Sequence, residues 1–533
     1  MAEQIPPLEY PDAERIPAAL AGPSSSLEGL RILVTGLGVS GFPAAVHLAE
    51  RGAAVTVVDG DAERDETERE RILSVFDVDI RRGPEHVAGL PPLAGDAAFD
   101  LVVTSPGWRP DSPVLAGARA AGIPVIGEVE LAWRVRGTND ARWLVVTGTN
   151  GKTTTTTMLA SMLTAAGLRA RACGNIGDPL LEAVLDPELE VLAIELSSFQ
   201  LHWELSMGAH AAVVLNLADD HLDWHGGADA YRADKGRAYH GVHRACVYNV
   251  DDPATRALVE QAEVVAGARA VGFTLGTPGP GEFGLVEDLL VDRAFIPARY
   301  SAAAEIADLA DVGAAVGTDA PGPHHIADAL AAAALARSVG VEPSAVREGL
   351  RQHAPGAHRS AVVAEAAGVT WVDDSKATNP HAAAAALAAR DSVVWIAGGL
   401  LKGADVSALV AEAAARLRGV VLIGEDRGAL RAALAQHAPD VPVREVDLAA
   451  DVSAGLSAQR RGAPVMEAAV AAAGELAGFG DAVLLAPAAA SMDQFLSYAT
   501  RGDLFTEAAQ AWAAAHGAAE TDRARPAAET DAP

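Results

Sequence analysis

Short apolar runs rich in β-branched residues alternate along this chain with segments of helical periodicity, and turns carrying glycine or proline separate them. The runs fall at residues 30–35, 54–58, 143–147, 191–195, 211–217 and 393–397, with others starting near 101, 370 and 483. Runs this continuous suit strands covered on both faces, and the intervening helical segments supply the cover, so the pattern predicts an α/β fold with mostly parallel sheets. Between about residues 272 and 322 the pattern thins, and only a small strand set is expected. Residues 1–28, rich in Pro, Ala and Ser, read as a mobile extension, and 517–533 as a disordered tail. The expected domains between them are 29–141, 142–356 and 357–516.

One junction carries the most specific chemistry. The run Trp143 to Thr147 breaks into Gly148-Thr149-Asn150-Gly151-Lys152-Thr153-Thr154 and then enters a helical segment. Glycines let backbone N–H groups close on phosphate oxygens, a helix N-terminus adds partial positive charge, Lys152 reaches the outer phosphates and the Thr153 hydroxyl suits Mg²⁺. A nucleoside triphosphate is the expected ligand, although two residues rather than four separate the glycines of this P-loop-type sequence.

A second glycine turn follows the first strand: Gly36-Leu37-Gly38-Val39-Ser40-Gly41, with Asp59 ending the next strand eighteen residues on. Glycines for a tight turn and a close diphosphate approach, then an acid for a ribose hydroxyl, fit a dinucleotide fingerprint. Two nucleotide-phosphate sites in one chain call for two substrates, or a substrate and a cofactor.

The short loop Gly-Thr-Asn-Gly-Lys-Thr-Thr resembles the ATP loop of the Mur ligase family, which includes the folylpolyglutamate synthases. The resemblance implies three domains: a Rossmann-like N-terminal domain holding the uridine diphosphate of the substrate, a central ATPase domain and a Rossmann-like C-terminal domain. In that scheme Gly36, Gly38, Val39, Ser40, Gly41, Asp59, Ser105 of the Ser-Pro-Gly turn and Asn175 serve the UDP substrate. Glu195, at the end of its strand, and His221 contact Mg²⁺. Lys235, fourteen residues beyond His221, is implied to be carbamylated by CO₂ to a carboxylate-like metal ligand, which needs an uncharged amine and hence a pocket that disfavours the ammonium.

The same resemblance assigns Gly148 to Thr154, Asp328, Arg359 and Asp374 to ATP. Here His325 and Asp328 stand where the family carries asparagines, so the part played by Asp328 is open. Lys376, Thr378, Lys402, Ser491 and Tyr498 fall on positions the family uses for the incoming amino acid. The strings Glu195-Leu-Ser-Ser-Phe-Gln-Leu201 and Asp374-Ser-Lys-Ala-Thr-Asn379 stand as in the D-glutamate-adding members. The implied reaction is ATP-dependent addition of D-glutamate to UDP-N-acetylmuramoyl-L-alanine, for peptidoglycan precursor synthesis, by a cytoplasmic monomer. The alternatives are a family member adding another amino acid, a folylpolyglutamate synthase, and an NAD-type dehydrogenase or silent nucleotide-binding protein.

Composition narrows the setting. Half of the 533 residues are hydrophobic, and 41 basic against 71 acidic residues give a net charge of −30, which argues against nucleic acid or an anionic membrane surface as partner. Two cysteines, Cys173 and Cys246, lack metal-ligand spacing and read as reduced, buried thiols. His225 reads as a surface residue.

Overall fold

The computed structural model describes residues 15–62, 67–95, 97–137, 140–446, 456–457 and 459–523. The chain forms two compact units, one from its N-terminal part to Leu217 with Trp224–Ala354, the other from Ala218–Asp223 with the chain from Pro355 onward.

The first unit contains two sheets. Strands β1 (Arg31–Thr35), β2 (Ala54–Asp59), β3 (Asp79–Arg82), β4 (Leu101–Thr104) and β5 (Val125–Gly127) form a parallel sheet in the order 3-2-1-4-5. Ile32, Leu33 and Val34 are fully buried, as strands covered on both faces require. The order reverses beside β1, which places the Gly36–Gly41 turn at a crevice outside the carboxyl ends of the strands.

The second sheet contains β6 (Arg142–Thr147), β7 (Ala170–Gly174), β8 (Val191–Glu195), β9 (Ala211–Val214), β10 (Ala245–Asn249), β11 (Arg269–Phe273), β12 (Glu282–Val286), β13 (Leu289–Asp292) and β14 (Ala304–Asp308). Its order is 14-13-12-11-10-9-6-8-7, antiparallel only where β13 pairs with its two neighbours. The thin region of the sequence pattern holds β12 to β14. Reversal at β6 puts the phosphate loop at the second crevice. Leu144 and Val146 pack with Met158, Leu159 and Met162 of helix Lys152–Ala165 and with the alanine-rich helix Pro323–Ser338.

The second unit holds β15 (Ala361–Ala366), β16 (Val369–Asp373), β17 (Val393–Gly398), β18 (Leu417–Ile423), β19 (Val443–Glu445) and β20 (Ala482–Leu485), ordered 15-16-20-17-18-19 and parallel except for β15 on β16.

Residues 15–28 correct the expectation of a mobile extension. Ile16, Leu20 and Leu27 enter the hydrophobic core, the Leu27 and Gly22 amides donate to Arg51 and Arg134 carbonyls, and the Arg51 guanidinium donates to Ser25 and Ala19 carbonyls. Three apolar side chains among prolines and serines suffice to dock the segment. Residues 1–14 lie outside the described residues. At the other end helix Tyr498–Arg523 continues past residue 517, and the remaining 524–533 of the expected tail also lie outside. Both cysteines are buried, and burial pushes each thiol up to about 12, so neither is a nucleophile at neutral pH. Among the described residues no helix is long and apolar enough to cross a membrane.

Candidate active site

At the first crevice the turn after β1 is tightly built. Gly36 has φ +87°, and a Cβ on Gly41 would lie 1.9 Å from the Gly36 carbonyl oxygen, so no other residue fits at 41. Asp59 braces this turn: its Oδ2 accepts from Leu37 N at 2.8 Å and its Oδ1 from Asp61 N at 2.9 Å. The Gly38 carbonyl starts the following helix by accepting from Phe42 N, and Val39 is exposed. Ser105 sits against Gly36, its Oγ 2.8 Å from where a Gly36 Cβ would be, buried and without a hydrogen-bond partner. An orphaned hydroxyl beside a glycine turn is what a nucleotide oxygen would satisfy. Ser40 bonds to Glu128, a buried carboxyl that also accepts from the Leu180 and Leu181 amides and whose pKa is raised by burial. Glu128 was not singled out from sequence, although it directly follows Gly127.

At the second crevice Gly148 (φ +148°) and Gly151 (φ +85°) shape the loop, and Gly151, the residue before helix Lys152–Ala165, brings no side chain of its own to cap it. Lys152 folds over the loop, its Nζ donating to the Gly148 and Thr149 carbonyls at 3.0 and 2.8 Å. The Asn216 side chain accepts from the Asn150 backbone N–H and donates to the Asn150 backbone carbonyl, and the Thr149 hydroxyl pairs with Tyr231 Oη at 2.8 Å. Thr153 and Thr154 lie in the first turn, and Asp328 presses against the loop: a Cβ on Gly151 would come 2.2 Å from its Oδ1.

Glu195, at the end of β8, is 2% exposed. Asn175 Nδ2 donates to its Oε1 at 2.9 Å, and Oε2 is buried with no partner. A buried carboxylate oxygen without a donor fits a cation, and a hard oxygen ligand suits Mg²⁺. Lys235 is equally buried; its Nζ lies 3.4 Å from Thr147 Oγ1 and 5.0 Å from the Tyr231 ring centre. The residue before it, Asp234, takes both His202 and His225 on one oxygen. Burial alone would raise this carboxyl, but the two imidazole bonds outweigh it and hold it below its ordinary value. The His225 side chain is fully buried, which corrects its reading as a surface residue. Its pairing with an acid nine residues on in another helix leaves no local trace in the sequence.

The second unit gathers the remaining predicted residues. His221, with φ +53°, lies 3.4 Å from Lys402 Nζ through its Nδ1. Leu400 and Ala490 exchange backbone bonds of 2.9 Å, which sets the turn bearing Lys402 beside the one bearing Ser491. Lys376 Nζ lies 5.2 Å over the Tyr498 ring. Thr378 N donates to the Lys376 carbonyl in the same polar turn. Desolvation pushes Asp374 up to about 6, against the pull of the Ser360 amide and the Arg359 charge. Sequence reasoning missed His358, which donates to Asp373 Oδ2 at 2.6 Å, and Arg501, a wholly buried guanidinium.

Family models match this chain in order: the Mur ligase MurD-like N-terminal domain over residues 30–127, the Mur ligase middle domain over 146–336, and the Mur ligase glutamate ligase domain over 358–489. A Streptomyces avermitilis protein named UDP-N-acetylmuramoylalanine--D-glutamate ligase is 57% identical over 483 residues, 90% of this chain and 98% of that protein. The chain belongs to the Mur ligase family. The Streptomyces coelicolor protein of the same name is 55% identical, over 91% of this chain and 98% of its own length. Among solved Mur ligase structures, MurF from Acinetobacter baumannii superposes with a TM-score of 0.53 at 17% identity, covering 90% of this chain and 93% of that one, a likeness of fold alone. The phosphate loop, Glu195 and Lys235 lie within the span of the middle-domain model, and Gly36 to Ser105 within that of the N-terminal model.

Proposed function

We propose that this chain is an ATP-dependent ligase that joins D-glutamate to UDP-N-acetylmuramoyl-L-alanine through an acyl phosphate, in peptidoglycan precursor synthesis. The observation that carries the reading is the convergence, at the carboxyl ends of β6 and β8, of a phosphate loop, a buried Glu195 oxygen without a donor and the buried amine of Lys235.

The chemistry needs that combination. A carboxylate is a poor acyl donor, because an oxide leaves badly and the anion repels nucleophiles. Its oxygen attacks the γ-phosphorus of ATP, and the bond to ADP breaks. The amine of D-glutamate then attacks the acyl carbon, and phosphate leaves as the amide forms and a proton is released. Transfer of this kind asks chiefly for positioning and charge stabilisation. The loop amides and Lys152 hold the triphosphate. Thr153, Glu195, His221 and a carbamate on Lys235 are the residues that would hold Mg²⁺. Bound there, Mg²⁺ supplies neutralisation of phosphoryl charge.

Gly36, Gly38, Val39, Ser40, Gly41, Asp59, Ser105 and Asn175 receive the UDP substrate in this reading. Arg359 and Asp374 serve ATP, with Asp328 bordering its phosphate loop, and Lys376, Thr378, Lys402, Ser491 and Tyr498 serve D-glutamate. In this reading the enzyme works in the cytoplasm, where ATP and nucleotide-activated sugars are consumed, and as a monomer.

Phosphate release from ATP with UDP-N-acetylmuramoyl-L-alanine and Mg²⁺ tests the proposal. Release is expected with D-glutamate and not with L-glutamate, L-alanine or meso-diaminopimelate. Release with another amino acid would keep the ligase mechanism and overturn the amino-acid assignment.

A further inference from the structure

Next to Lys235 lies a polar knot that the reaction itself does not use. Asp234 Oδ2 accepts from His202 Nδ1 at 2.8 Å and His225 Nδ1 at 2.7 Å, and Oδ1 lies 3.6 Å from the Arg237 guanidinium. His225 Nε2 pairs with Ser198 Oγ at 3.0 Å. Aromatic rings enclose the two imidazoles: Phe199 stacks on His225 at 5.6 Å, and Trp224 stands edge-on to His202 at 5.1 Å.

The connections of this knot give it a role. Ser198 and His202 are the first and last residues of helix Ser198–His202, which starts three residues after Glu195. One carboxylate therefore grips that helix at both ends, at His202 directly and at Ser198 through His225. Asp234 belongs to helix Ala228–Gly236, and one turn earlier Tyr231 bonds to Thr149 of the phosphate loop. That helix is thus pinned to the loop at one point and to the segment after Glu195 at another, with Lys235 beside the second pin.

We propose that Asp234, with His202 and His225, is a positioning device that fixes the Lys235 amine relative to Glu195 and so sets the affinity of the reaction centre for its divalent cation. The inference rests on the reading of Lys235 as a carbamate-bearing ligand, formed by Lys–NH₂ + CO₂ → Lys–NH–COO⁻ + H⁺. Groups that orient the residues of a metal site, without touching the metal, commonly govern its affinity by 10- to 100-fold, so an effect of about tenfold is expected. The knot is not read as a metal site of its own. Both imidazoles bring an Nδ1–H to one oxygen at hydrogen-bond distance, and a donor N–H presents no lone pair to a metal.

The test uses the full chain with Asp234→Asn and His202→Gln, the latter at a side chain 28% exposed and so tolerant of exchange. The readouts are the ¹³C carbamate signal under ¹³CO₂, the Mg²⁺ concentration for half-maximal ATP turnover, and the melting temperature. Asp234→Asn is expected to lower carbamate occupancy at limiting CO₂ and raise the Mg²⁺ midpoint about tenfold, with occupancy restored by saturating bicarbonate and turnover by saturating Mg²⁺. His202→Gln moves both the same way by less. A carbamate signal and Mg²⁺ midpoint unchanged in Asp234→Asn, even with a lowered melting temperature, would overturn the inference and leave the Lys235 reading intact. A wild-type protein with no carbamate signal that Lys235→Ala removes would overturn the reading itself, and the inference with it. Stoichiometric Zn²⁺ binding lost in His202→Gln would overturn the inference in favour of a separate metal site.

Discussion

Asn175 donates one hydrogen bond to Glu195 and thereby leaves the other carboxylate oxygen buried and unanswered. The Asn175 amide N–H also holds the Glu195 carbonyl at 2.8 Å, so the pair is fixed at backbone and side chain together. One neutral hydrogen bond leaves half of this buried carboxylate unanswered, and a bound cation would answer it. Asn175→Ala frees Glu195 to turn, and it is expected to raise the Mg²⁺ concentration for half-maximal turnover by about tenfold while kcat at saturating Mg²⁺ falls less. Turnover measured against Mg²⁺ decides it; an unchanged midpoint would mean that Glu195 does not meet the metal.

Asp328 stands against the phosphate loop where the family resemblance leads one to expect a neutral amide. Asp328 is only 5% exposed, so as a carboxylate it repels a bound triphosphate by at least roughly 1 kcal/mol, the figure for well-solvated charges. Asp328→Asn is therefore expected to lower the KM for ATP roughly fivefold. Gly151→Ala should do the opposite, because its Cβ would meet the Asp328 carboxylate at 2.2 Å and its φ is +85°. Strain of about 1–3 kcal/mol would distort the loop and raise the KM for ATP. An increase in KM with Asp328→Asn would show the acid to be a needed acceptor.

These two sites were unequally legible in the sequence. The phosphate loop and Glu195 could be read because an uninterrupted apolar run marks a buried parallel strand, and a residue at its carboxyl end must face a crevice. The partners that orient them could not. Asp234 lies nine residues from His225 and 32 from His202, on three separate helices, so only packing reveals the contact. His358 and Arg501 were missed for a similar reason: a buried polar network shows no periodicity. Residues 15–28 were misread because composition alone hid three side chains that dock.

Asp374 provides a pH test. Its carboxyl is raised from the ordinary 3.8 to about 6 by desolvation. As a nucleotide contact it accepts hydrogen bonds more strongly when ionised, so the KM for ATP is expected to be flat above about pH 7 and to climb as pH falls through 6. Stability runs the other way. Between about pH 4 and 6 the folded chain keeps a proton that the unfolded chain has lost, so stability declines as pH rises across that window. Asp374→Asn should abolish both slopes, with KM raised but independent of pH. A wild-type KM that does not change between pH 5.5 and 7.5 would remove Asp374 from the nucleotide site.

Arg501 links stability to the amino-acid site. Its guanidinium is fully buried and donates to the Ser375 carbonyl at 2.9 Å, Ser375 Oγ at 3.0 Å and the Ala489 carbonyl at 3.1 Å, while burial lowers its pKa to about 9. Ser375 Oγ in turn donates to the Tyr498 carbonyl at 2.7 Å, so Arg501 fixes the start of the helix bearing Tyr498 as well as the turn preceding Lys376. Arg501→Met keeps much of the volume and orphans these acceptors, at about 3 kcal/mol in all. For a unit of this size that is a fall of roughly 6–12 °C in the melting transition, measurable by calorimetry on the full chain. Arg501→Lys keeps the charge but offers a single point donor in place of a planar fork, so it leaves at least one acceptor unmet. It should melt at an intermediate temperature, and below that transition the KM for D-glutamate should rise while the KM for ATP stays unchanged. Equal increases in both would mean that Arg501 supports the unit as a whole and not the turn around Tyr498.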